Sequence, residues 1–141
     1  MGNRAVIAFE SMPSIGVYVH WNGGVESVLA FLEAAKQRGR TPGGDPTYAL
    51  ACLVRVIGEF FGRGGDSVGV GPLEILDTDN WDNGLYWVGS NWEITRREHH
   101  HGDTRRTVEE LSTSAAGDRF SCAEKYTDIV ERLTDRMEET A

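Results

Sequence analysis

The sequence is poor in the residues that staple or break a chain. It holds two cysteines and four prolines in 141 residues. Cys52 and Cys122 form no metal-type or redox spacing, so a disulfide framework is excluded and a reduced, intracellular setting is expected. Long apolar runs are missing as well. Met1-Gly2-Asn3-Arg4 leads into a short apolar stretch broken by Glu10 and Pro13, which is neither a signal peptide nor a spanning helix. Gly2 has no Ser or Thr at the sixth position, so the myristoylation pattern fails. The expected location is the cytoplasm, without membrane attachment. Basic side chains are scarce, 14 against 22 acidic, for a net charge of -8. That balance argues against direct DNA or RNA binding, which needs a basic surface to displace phosphate counterions. Nucleophile-elbow, HExxH, Walker and GxGxxG patterns are absent, leaving no catalytic residue and no cofactor to assign.

Glycine, by contrast, is abundant: 17 residues, about 12% against an average near 7%. A chain this long is expected to form one domain with its own core. Ala5 to Phe9 and Gly16 to Trp21, rich in Val, Ile, Tyr and Trp, predict a β-hairpin across a Ser/Met/Pro/Ser turn. Val25, Val28, Leu29 and Leu32 recur at helical spacing up to Gln37, and Gly39 is placed to cap that helix. Asp45-Pro46 starts a second helix running to about Phe61. Its apolar stripe, Tyr48 to Phe60, predicts a central position. From Ser67 the period is two, with glycines on one face that invite close approach by a helix, a backbone or a ligand. Leu73 to Leu76 reads as extended, Asp77 to Gly84 as a polar loop, and Leu85 to Val88 and Trp92 to Thr95 as two more strands. The prediction is an α+β fold, ββααβββ, with a mainly antiparallel sheet over residues 1–96. Residues 97–118 read as a polar linker. Residues 119–139 predict a C-terminal helix with a Ser121/Glu124 capping box, which docks on the domain or pairs with its copy in a homodimer.

Between Asp66 and Glu93 lie six acids and no Lys or Arg. Trp81, Tyr86, Trp87 and Trp92 are interleaved with them. Aromatic rings among carboxylates suit a basic protein surface, because the rings bury area while the acids pair with Arg or Lys. The candidate partner-binding residues are Asp77, Asp79, Trp81, Asp82 and Tyr86. A calcium loop fails in register, since Trp81 falls on a ligand position whether the loop starts at Asp77 or Asp79. A second candidate is His20-Trp21-Asn22-Gly23-Gly24, where a strand feeds a helix N-terminus. There His20, Asn22, Gly23 and Gly24 would bind a small nucleotide. The triple histidine at 99–101 supports at most adventitious Zn or Ni binding, and no metal site is assigned.

The chain resembles a family of small, largely uncharacterised proteins encoded by bacteriophages and prophages. The resemblance rests on Asn3-Arg4-Ala5-Val6-Ile7, Gly16-Val17-Tyr18-Val19-His20-Trp21-Asn22-Gly23-Gly24, Ser67-Val68-Gly69-Val70-Gly71-Pro72, and Leu76-Asp77-Thr78-Asp79-Asn80 with Asp82-Asn83-Gly84. It covers residues 3 to about 96. It implies a phage protein acting inside a bacterium, of the kind that blocks a host defence complex such as a CRISPR nuclease or sequesters a nucleotide signal. The expected function is a non-enzymatic counter-defence inhibitor binding a host defence protein or nuclease complex. A nucleotide sponge is the first alternative and a small hydrolase the second.

Overall fold

In the computed structural model, residues 2–62, 67–98, 128–131 and 133 are described. Strand β1 (Ala5–Phe9) is buried along its whole length. It pairs antiparallel with β2 (Met12–Val19) and in parallel with β4 (Leu85–Val88). β3 (Val68–Pro72) pairs antiparallel with β2, and β5 (Ile94–Glu98) with β4. The sheet order is β3-β2-β1-β4-β5, mainly antiparallel with one parallel pair. The α+β architecture follows the element order read from the sequence.

Alternation along the strands sorts the side chains onto two faces. Ala5, Ile7, Phe9, Val17, Val19, Tyr86, Val88 and Ile94 enter one core with α1 (Val25–Gln37) and α2 (Pro46–Phe61). Asp45 caps α2 as expected, its carboxylate accepting the Thr47 N–H at 3.0 Å. Gly39 takes φ +93° just past α1. Cys52 is buried in this core, and burial pushes its thiol pKa up. Tyr48 departs from the expected stripe: it is exposed, with the Arg40 guanidinium 4.6 Å above its ring.

Val6, Ala8, Leu85 and Trp87 form a smaller cluster on the opposite face, with Tyr18, Leu73 and Leu76 packed on it. Gly16 of β2 makes room for this layer. A Cβ on Gly16 would stand 2.9 Å from Leu73 and 3.2 Å from Leu76. Leu73–Ile75 is therefore a 3₁₀ turn folded over the sheet, not the extended continuation predicted. Arg96 lies 4.4 Å above the Trp87 ring.

Strands β2 and β5 differ from the prediction at both ends, β2 closing at Val19 and not at Trp21. β2 starts at Met12, since a register shift at Ala8/Phe9 pairs Phe9 with Met12 and leaves a tighter turn. β5 starts at Ile94 because Trp92 takes a left-handed φ of +68°. Its indole N–H donates to the Arg40 carbonyl at 2.6 Å and its ring meets Phe9 edge-on at 5.4 Å. The chain thus turns through Ser90-Asn91-Trp92 before pairing resumes, and β5 extends through Arg97 and Glu98. The remainder of the predicted linker, the triple histidine, Cys122 and the Ser121/Glu124 box lie outside the described residues. Residues 128–131 and 133 are helical. Ile129 and Leu133 are buried in the main core, so these two positions face the chain's own domain and not a second copy.

If Leu133 is a core residue, Leu133→Ala should lower the unfolding free energy by about 2–5 kcal/mol. Urea denaturation followed by fluorescence measures this, and a loss below about 0.5 kcal/mol would mark a solvated side chain.

Candidate functional site

The two candidate segments, about 60 residues apart in sequence, meet at one end of the sheet. β1 and β4 begin there and β2 ends there, so Arg4, His20 and Gly84 share that edge. Asn3-Arg4 stitches them together. The Asn3 N–H donates to the His20 carbonyl at 2.8 Å, and the Gly23 N–H donates to the Asn3 carbonyl at 2.8 Å. On the other side the Asn83 N–H donates to the Arg4 carbonyl at 3.1 Å, and Asn83 Nδ2 donates to the same carbonyl at 3.0 Å.

The acidic loop is held from within by Asn80, which is 1% exposed. Its Oδ1 accepts the N–H groups of Asn83 and Gly84 at 3.0 and 2.9 Å. Its Nδ2 donates to the Asp77 carbonyl at 2.8 Å and the Gly84 carbonyl at 3.3 Å. An amide side chain serves well here because it supplies donors and acceptors together to a turn with no ladder partner. Arg97 adds a clamp from β5, its Nε donating to the Asn83 carbonyl at 2.9 Å. At the tip, Trp81 is 58% exposed.

The segment that lacks bases in sequence does not lack them in space. The Arg4 guanidinium reaches Asp82 at 2.8 Å and Asp77 at 3.4 Å. The Arg4 backbone N–H also donates to Asp82 at 3.0 Å. These hydrogen bonds hold the Asp82 carboxyl below the usual carboxylate range and raise the Arg4 pKa. Arg4 thus ties Asp77 and Asp82 to the start of β1; Asp77 and Asp79 are exposed, and Asp82 is half-buried. Tyr86 does not belong to the surface at all. It is fully buried, its hydroxyl donates to the Gly23 carbonyl at 2.9 Å, and burial drives its pKa up.

The His20 to Gly24 turn is close-packed by the chain itself. A Cβ on Gly23 would lie 2.5 Å from the Asn3 carbonyl oxygen and 2.7 Å from the Ala5 Cβ, which accounts for the glycine. With its N–H already bonded to Asn3, Gly23 offers no donor to an anion. Asn22 takes a left-handed φ of +59° and donates to Ser27 Oγ at 3.2 Å. Gly24 precedes α1 without a side-chain cap. His20 Nδ1 shares a 2.8 Å hydrogen bond with the Tyr18 hydroxyl, and burial pushes the Tyr18 pKa up. Trp21 beside it is 46% exposed. One groove of about 310 Å³ lies elsewhere, between α1 and the β4–β5 turn, and is lined by Leu29, Leu32, Glu33, Lys36 and Trp92. No cluster of three or more metal-ligating side chains occurs among the described residues.

Asn3, Arg4, Asn80, Asn83 and Arg97 build the site, yet sequence reasoning assigned none of them to it. The asparagines carried a usable signal, since three of them flank the loop and the N-terminal strand. Arg4 was legible only as one of the spaced bases, with Arg55, Arg63 and Arg96, that a phosphate pocket near His20 would need; its pairing with the acidic loop carried no signal, because those carboxylates lie more than 70 positions away.

Asp82 has a folded pKa below its unfolded value. Its pairing therefore contributes stability that is complete above the unfolded carboxylate pKa, near 4, and is lost as pH falls through the folded pKa. Urea midpoints for the wild type and Asp82→Asn should differ at pH 7 and converge as pH falls through the folded pKa of Asp82; a gap independent of pH would contradict the pairing. Compared with known proteins, the chain matches no family model, no curated protein and no solved structure.

Proposed function

We propose that this chain is a phage-encoded, non-enzymatic binding protein that inhibits a bacterial defence complex, with the loop Asp77–Gly84 as its contact. The observation that carries the reading is an exposed indole, Trp81, on a loop whose backbone is fixed by buried hydrogen bonds. A large aromatic on a preformed loop loses little conformational entropy on docking, which is how anchor residues concentrate binding energy. Glu74, Asp77, Asp79 and Asp82 lie in this stretch of sequence, against the guanidinium groups of Arg4 and Arg97 that reach the loop, a local excess of two negative charges. Such a surface favours a basic partner and raises the association rate with it. Trp21 and His20, joined to the loop through Asn3 and Arg4, extend the contact. The phage origin and the defence target rest on the resemblance carried by residues 3 to about 96. Among the described residues no helix is long and apolar enough to cross a membrane, which accords with action inside the host cell.

Because Asp77 and Asp82 hold the loop in place, the informative substitutions are Trp81→Ala and Asp79→Lys. Each should weaken capture of the host partner by about tenfold or more, a loss of at least about 1.4 kcal/mol, with the melting curve unchanged. Affinity purification from host lysate followed by quantitative mass spectrometry, with phage plating efficiency alongside, measures both. Undiminished capture and protection by the double variant would refute the reading.

A further inference from the structure

We propose that Asn22 is a site of spontaneous covalent modification, losing its side-chain amide to the following glycine, and that Asn83, in the same dipeptide, is shielded from that reaction by the fold. The inference is independent of the contact assigned above. The chain carries Asn-Gly twice, at Asn22-Gly23 and Asn83-Gly84. Glycine lets its backbone nitrogen swing onto the preceding side chain, because it has no Cβ in the way and few forbidden dihedrals.

The reaction balances with water alone. The Gly23 nitrogen gives its proton to solvent and attacks Asn22 Cγ. The new N–Cγ bond closes a cyclic imide while the Cγ–Nδ2 bond breaks, and Nδ2 leaves as ammonia. Water then opens the imide. Cleavage at Cγ leaves an ordinary aspartate, and cleavage at the main-chain carbonyl leaves isoaspartate, whose main chain runs through Cγ and is longer by a methylene.

Two conditions govern the rate: the glycine N–H must leave its acceptor, and the asparagine amide must turn toward it. The sites differ in both. Asn22 is half-buried, and among the described residues its Nδ2 makes one long bond, to Ser27 Oγ at 3.2 Å. The Gly23 N–H is held by the Asn3 carbonyl at 2.8 Å. Asn22 also carries its left-handed φ of +59° at some cost, which opening of the turn relieves. Asn83 is 9% exposed; its Nδ2 donates to Asn3 Oδ1 at 2.5 Å and to the Arg4 carbonyl at 3.0 Å, and its Oδ1 accepts from Arg97 Nη2 at 3.1 Å. The Gly84 N–H is committed to Oδ1 of the buried Asn80 at 2.9 Å. Freeing Gly23 parts one stitch to Asn3, whereas freeing Asn83 dismantles the loop. Small local openings cost less and occur more often.

The isoaspartyl product changes the polar end of the sheet. A Cβ on Gly23 would stand 2.5 Å from the Asn3 carbonyl oxygen, so the turn has no space for a longer main chain. The Gly23 carbonyl also accepts the Tyr86 hydroxyl at 2.9 Å. Isoaspartate at position 22 therefore displaces both bonds that tie Gly23 to Asn3 and Tyr86.

Peptide mapping by mass spectrometry tests this on the full chain, aged in mildly alkaline buffer either folded or in urea. In urea the two asparagines should convert at similar rates, since the unfolded chain presents the same dipeptide twice. In the folded protein Asn22 should convert at least about tenfold faster than Asn83, the factor that about one net hydrogen bond supplies. Asn80→Ala, which frees the Gly84 N–H, should speed conversion of Asn83 about tenfold and leave Asn22 unchanged, the second site reporting that the rest of the variant is folded. Hydrogen exchange then separates the products: the Gly23 amide should exchange at least about tenfold faster in the isoaspartyl form and stay slow in Asn22→Asp. An Asn22 as inert as Asn83 in the folded chain, an Asn83 that converts as fast as Asn22, or an unchanged Gly23 amide in the isoaspartyl form would overturn the proposal.

Discussion

The burial of β1 on both faces is the constraint that organises this molecule. All five of its residues are buried, with alternate side chains entering the helical core and the small cluster under Leu73 and Leu76. A strand enclosed in this way must satisfy its backbone within the sheet, and it does so with β2 on one side and β4 on the other. The residues just before it inherit that fixity. Asn3 and Arg4 continue from the most enclosed element of the fold into its most polar end, bonding the His20 to Gly24 turn on one side and the acidic loop on the other.

Electrostatics at that end follow from the same placement. Net charge describes the chain as uniformly acidic, yet Arg4 is set among carboxylates and Arg97 rests 4.8 Å above the Tyr86 ring while gripping Asn83. Asp77 and Asp82, bonded to Arg4, shape the loop, and Asp79 and Trp81 are among its exposed side chains. On the proposed reading the aspartates serve stability through Asp77 and Asp82 and recognition through Asp79. The two roles fall on different residues.

Much of the fold was legible in the sequence because it rests on local signals. Strand composition marked β1, Asp45-Pro46 marked the start of α2, and Gly39 marked the end of α1. Close approach was expected at the glycines of β3, yet a Cβ on Gly69 or Gly71 would meet only ordinary contacts; the tight approach is at Gly16 of β2, under the 3₁₀ turn that had been read as extended. The misplaced start of β5 has one cause: Trp92 occupies a left-handed position where glycine is usual, held by Phe9 and the Arg40 carbonyl, and no local pattern reveals that. The site was less legible. Acid and aromatic spacing located the loop and Trp81, but a period-two strand could not show that Tyr86 points into the helical core. Nor could spacing show that Gly23 is packed against Asn3, since that contact exists only once β1 and β2 are paired.

The account stands on the loop from Asp77 to Gly84 being ordered before any partner arrives. Backbone ¹⁵N relaxation of the free protein measures this most directly. Order parameters near about 0.85 through Asn80, Trp81 and Asn83 are the predicted result, matching rigid backbone, whereas values below about 0.6 would contradict a preformed contact.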